Sequence, residues 1–277
     1  VQDAGSPHIA CNKECCSLLF TFPDPLRKVV SLGIIDHNSE KSFIIEASPD
    51  FTMQTKMIKT RTRKEEELPD GIFLTHAHIG HYTGLMYLGR EATNADKVPV
   101  YTMPKMKSFL ETNGPWDQLV TAGNIDLALL QPGGKVNLSP SLAVHSFPVP
   151  HRGEYSETVG FRVVGPRRSF IYVPDTDSWE GWETPIEDHI SHTDVAFLDG
   201  SFFSGDELPD RDMTEIAHPL VTTSLQRFSD LANSDRAKIR FTHLNHTNPL
   251  LDPESTAYTT VARAGMAVAT EGDVIEL

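Results

Sequence analysis

The stretch LTHAHIGHYTGL, Leu74 to Leu85, places three histidines within six residues, at His76, His78 and His81. It continues the apolar run GIFLTH (71–76), which reads as a strand, so the histidines occupy the chain where a strand gives way to a loop. Loops on a rigid scaffold are where functional side chains collect. Imidazole nitrogens bind zinc and also suit iron, copper and nickel. A carboxylate would complete the cradle, but position 80 is Gly80, which also reads as opening the turn before a helix expected at 81–91.

The other candidates share one trait. His151 follows the strand-like LAVHSFPV (142–149), Asp175 ends RSFIYVPD (168–175), and His243 and His246 lie in FTHLNH at the end of KIRFTHL (238–244). His218 lies in IAHPLV, at a helix start. His8, His37, His145, His189 and His192 stand apart from these patterns and are read as structural.

Further strands are expected at 28–35, 42–47, 98–102, 125–131, 157–165 and 195–200, rich in Val, Ile and Phe and bounded by Gly, Pro and Asp. Helices are expected at 104–112, 182–190, 214–232 and 253–263, the last with Asp252 as its cap and Pro253 at its first position. Strands outnumber helices and do not alternate with them, which fits two mixed sheets with helices outside them in one domain over 1–277.

The chain has 277 residues and a net charge of −14. An acidic surface repels phosphate backbones, so a nucleic-acid partner is disfavoured. The one basic run, Ile58 to Lys64, is followed at once by three glutamates and reads as a solvated loop. No run approaches the ~18 apolar residues of a membrane span. The start at Val1 suggests a cleaved or trimmed chain and a cytoplasmic or periplasmic protein. Cys11, Cys15 and Cys16 are too few and too crowded for a disulfide framework. A structural zinc clip within 8–16 is the sharper alternative, with a fourth ligand still to be found.

On these residues the chain resembles the metallo-β-lactamase fold superfamily, whose fold is an αββα sandwich with metals at one edge of its sheets. The family motif His-x-His-x-Asp-His reads HAHIGH here. The resemblance implies His76, His78 and His151 as ligands of a first metal. It implies His81 and His243 as ligands of a second, with Asp175 bridging and Gly80 in place of the aspartate. Asp50 in SPDF matches an early carboxylate that orients a metal-bound histidine. QDAGSPHIAC, EASPDFTMQ, FLDGSFF and THLNHTNPLLDPES narrow the resemblance to the pyrroloquinoline quinone biosynthesis protein B branch, although His246 stands where that branch tends to have asparagine.

The resemblance implies a metal-dependent hydrolase acting on a small-molecule substrate with one or two zinc ions, iron or manganese being alternatives. Activated water would attack an ester-like bond. LDGSFF…MTEIAHP resembles phosphodiesterases of the superfamily, which makes Asp199 and His218 the pair for proton transfer. His246 or a water is a candidate to fill the space at Gly80. Two other classes stand beside this one: an iron-dependent oxidase of quinone-cofactor synthesis, and a non-catalytic metal-binding protein. Trp179 and Trp182, in the loop 177–185, either contact a substrate or pack. Oligomeric state is not legible in the sequence.

Overall fold

Branched and aromatic runs form strands close to where the sequence places them, and their ends carry the polar residues of interest. The computed structural model describes residues 1–209 and 216–277, which divide into two compact units. One comprises Val29–Phe147 and Gly153–Val159; the other comprises Val1–Lys28, Pro148–Arg152 and Gly160–Leu277.

The first unit holds β1 (Leu32–Asp36), β2 (Lys41–Ile45), β3 (Gly71–Phe73), β4 (Val98–Thr102) and β5 (Ile125–Leu129), hydrogen-bonded in that order. β1 and β2 are antiparallel, and the remaining pairs are parallel. Parallel neighbours need long crossovers. The helices Phe51–Lys59, Pro104–Thr112 and Trp116–Thr121, and the turns over Ile79–Leu88, supply them. Ile44, Ile72 and Val100 align across the register and lie in one core with Phe51, Leu85, Leu88, Met106 and Leu110. A hairpin of β6 (Lys135–Ser139) and β7 (Leu142–Pro148) follows.

The second unit holds β8 (Val159–Val164), β9 (Ser169–Val173), β10 (Val195–Asp199), β11 (Ile239–Thr242) and β12 (Ala267–Val268), adjacent in the order β12-β11-β10-β9-β8. β9, β10, β11 and β12 run parallel, so the carboxyl ends of β9, β10 and β11 lie along one edge. In open α/β sheets that edge is where ligands bind. Phe161, Tyr172, Leu198 and Phe241 pack its interior, with Ile186, Val221 and Phe228 from the helical segments. Among the described residues no helix is long and apolar enough to cross a membrane.

Several boundaries differ from expectation for physical reasons. The first strand begins at Leu32 rather than Lys28, because the Val29 N–H donates to Asp50 Oδ2 at 2.7 Å instead of joining a ladder. The last helix begins at Thr256, capped by Ser255, whose Oγ accepts from Tyr258 N at 3.0 Å. Asp252 instead closes a tight turn on Glu254 N at 3.0 Å. The helix 51–59 was not expected, although Phe51, Thr55 and Ile58 bury at helical spacing. The helix expected over 182–190 is Ile186–Ser191. That expected over 214–232 starts outside the described residues, and Val221–Arg227 is its regular part.

Candidate metal centre

In the β1–β7 unit the strand β3 delivers the motif. His76 and His81 are buried, and His78 retains 18% of its side-chain exposure. His76 Nε2 and His78 Nδ1 are 2.8 Å apart, and His78 Nε2 stands 3.3 Å from Glu154 Oε2. The Ala77 N–H donates to Ser156 Oγ at 2.8 Å, pinning the backbone between the two rings. His81 is set by a close backbone approach. Ala47 N donates to His81 O at 2.9 Å, and Gly84 N donates to Ala47 O at 2.8 Å. A Cβ on Gly84 would lie 2.3 Å from Ser48 O, so no larger residue fits without displacing the helix that carries His81.

The carboxylate behind this motif is Glu46, which the sequence reading missed. It is fully buried and directly follows β2, with φ +75°, in the left-handed region that non-glycine residues avoid. Its Oε1 accepts from Thr75 Oγ1 at 2.6 Å and stands 3.2 Å from His81 Nδ1. Thr75 Oγ1 is also 2.9 Å from His76 Nδ1. One buried acid therefore braces two of the three histidines, His81 directly and His76 through a hydroxyl. A carboxylate ending the apolar run SFIIE was the available signal. Asp50, expected in that role, instead accepts from Val29 N at 2.7 Å through its Oδ2. Gly80 is buried inside the short helix Ile79–Tyr82 and is not among the left-handed glycines, so the backbone does not require glycine there.

In the β8–β12 unit the donors come from separate segments. Asp175 lies two residues beyond β9, Asp199 ends β10, and His243 directly follows β11. Asp175, His218 and His243 each offer a ligand atom within 4.8 Å of the others. Asp199 is fully buried and accepts from Ser201 N at 2.9 Å, Thr176 N at 3.0 Å and His218 Nδ1 at 2.7 Å. It therefore holds His218 in place. Burial works to lower the His218 pKa. The charge and hydrogen bond of Asp199 outweigh it, with Asp175 and Asp3 adding, and carry the imidazole up to about 9.

His151 is braced in the same way, its Nδ1 2.7 Å from Asp177 Oδ1, which fixes the orientation of the ring. His243 has φ +60°. Gly200 makes room beside it, since a Cβ there would lie 2.8 Å from Phe241 Cβ. His243 Nδ1 stands 3.0 Å from Ser201 Oγ and 3.4 Å from Asp175 Oδ1, and its Nε2 stands 3.4 Å from Asp3 Oδ1.

His246, expected to fill the space at Gly80, sits elsewhere. Its ring joins Cys11, Cys15 and Cys16, all four offering ligand atoms within 4.8 Å of one another. It stacks on His8 at 4.2 Å between centroids, and the His8 N–H donates to Cys16 Sγ at 3.3 Å. Burial, then His8 and Lys13, push the His246 pKa down to about 4, which keeps the imidazole neutral and its lone pair available. Burial and the neighbouring Cys16 push the Cys15 thiol up to about 12. A cation among the sulfurs would reverse that preference. Trp179 packs rather than faces outward: it is buried, its Nε1 donates to Ser224 Oγ at 2.8 Å, and its ring lies 5.6 Å from Phe228.

Known proteins share this fold. The family model described as Beta-lactamase superfamily domain matches residues 41–243. The coenzyme PQQ synthesis protein B of Nitrosococcus oceani is 27% identical over 307 residues, an alignment covering 98% of this chain and 96% of that protein. The crystal structure of zinc-bound PqqB from Methylobacterium extorquens superposes with a TM-score of 0.83 at 20% identity, over 100% of this chain and 97% of that one. A diphosphatase of the PhnP family gives a TM-score of 0.67 at 20% identity, over 98% and 91%. The fold, mixed α/β with two sheets, is the one these structures share.

Proposed function

Because the chain belongs to the β-lactamase superfamily, whose domain spans residues 41–243, we propose that it is a metal-dependent hydrolase acting on an ester-like bond of a small molecule, a phosphodiester, lactone, thioester or amide. The observation that carries this reading is the pairing of the donors Asp175 and His243 at the strand-end edge with His218 beside them, held by the buried Asp199. Imidazole and carboxylate donors suit zinc, and also iron or manganese. By family correspondence His151 would be a further ligand in the β8–β12 unit; in the β1–β7 unit the same correspondence gives ligand roles to His76, His78 and His81.

A bound zinc would supply a water of lowered pKa and a Lewis acid for the scissile group. The chain's own residues supply the rest. Asp177 and Glu46 fix ring orientations so that the imidazoles present one nitrogen each. Asp175 contributes negative charge that favours a cation. Asp199 favours the protonated form of His218, which makes His218 the donor of a proton to the leaving oxygen. Cys11, Cys15, Cys16 and His246 form a Cys₃His set, the type of structural zinc sites, and we assign them to a structural ion.

The test is metal content by mass spectrometry, with turnover of a bis-aryl phosphate, a lactone and a chromogenic β-lactam. Metal retention with turnover of at least one class is expected. A protein reconstituted with zinc, manganese and iron that turns over none of them overturns the reading. A second reading, an iron-dependent oxidation in coenzyme PQQ synthesis, is favoured by the name of the relatives. Iron content together with oxygen uptake on a tyrosine-derived substrate separates the two.

A further inference from the structure

We propose that Asp3, on the segment leading to the cysteine cluster, is a metal ligand alongside His243. This rests on the metal-centre reading above and adds a ligand to it.

The distances separate two kinds of carboxylate–histidine pair in the β8–β12 unit. Asp199 to His218 and Asp177 to His151 are both 2.7 Å, the length of a charge-assisted hydrogen bond. Asp3 Oδ1 to His243 Nε2 is 3.4 Å, as is Asp175 Oδ1 to His243 Nδ1. Those are long for hydrogen bonds of this charge type. Two atoms bonded to one tetrahedral zinc at ~2.0–2.2 Å stand ~3.3–3.6 Å apart. The short pairs brace; the Asp3–His243 Nε2 pair has the spacing of co-ligands, and Asp175 meets the same ring at its other nitrogen, Nδ1.

The placement of Asp3 is independent of its carboxylate. Gln2 N donates to Leu244 O at 2.9 Å, locking the segment by its backbone to the residue after His243. The loop behind it is anchored a second time, where His246 reaches the cysteines that follow Asp3 in the chain. His243 is 1% exposed on its side chain and Asp3 25%. The acid thus approaches a buried imidazole from a more open side. The ring's other nitrogen, Nδ1, is engaged by Ser201 Oγ at 3.0 Å, which leaves Nε2 as the ligating nitrogen on the Asp3 side.

The experiment measures bound zinc and zinc affinity, by elemental analysis and chelator competition, in the wild type, Asp3→Asn, Asp3→Ala and His243→Ala, with thermal unfolding of the metal-stripped forms. In Asp3→Asn and Asp3→Ala, zinc outside the cysteine cluster is expected to weaken by ~10–100-fold, with metal-free unfolding unchanged. His243→Ala should lose the same ion. If His243→Ala loses zinc while both Asp3 variants bind as the wild type does, Asp3 is only an ion-pair partner and the inference is overturned. If the wild type holds no zinc beyond the cysteine cluster, the metal-centre reading itself has failed.

Discussion

The two units carry their donors differently. In the β1–β7 unit His76, His78 and His81 fall in one unbroken motif behind one strand. In the β8–β12 unit Asp3, His151, Asp175, His218 and His243 are drawn from five places in the chain. The bracing follows suit: one acid, Glu46, reaches two histidines of the motif, whereas His151 and His218 each have an acid of their own. A compact motif shares its support, and a dispersed set must build support residue by residue. Errors in the second unit should therefore stay local, and errors in the first should spread.

The largest effect expected on that view is from the double change His76→Ala, His78→Ala. It should remove the metal held by the motif while leaving the fold intact, read by elemental analysis beside circular dichroism. Retained activity would break the comparison. Next, Asp199→Asn should lower turnover by ~100-fold, since an oriented general acid contributes roughly 10²–10⁴. Bound metal should stay the same, because only His218 loses its brace. Glu46→Gln should weaken metal affinity by ~10-fold, a loss that a chelator titration would show and that Asp199→Asn should not. Smallest is Gly80→Asp, expected to tighten metal binding a few-fold by restoring an anionic donor to the motif. Unchanged affinity there would mean that position 80 does not bear on the metal.

The same contrast explains what could be read from the chain. HAHIGH was legible because its histidines are contiguous and their spacing is itself the signal. His151, Asp175 and His243 were assigned through the resemblance, each lying at a strand end. Glu46 was missed in favour of Asp50 because both acids stand in one short stretch, EASPD, and only the folded backbone shows which is spent on Val29. Asp3 and the fourth member of the cysteine set were invisible for another reason. They depend on segments 240 residues apart in the chain for Asp3 and His243, and no local pattern reports such a pairing. Ser255 lost to Asp252 as the expected cap because both can cap, and the choice rests on where the helix can begin.

Glu46 and His243 share the left-handed backbone at the end of a strand, with φ +75° and +60°. Glycine and asparagine are the residues most at ease there. Chance substitution at either position would therefore meet backbone tolerance for residues that cannot do what the acid and the imidazole do. The backbone at these two positions does not itself call for an acid or an imidazole; only the contacts their side chains make do so.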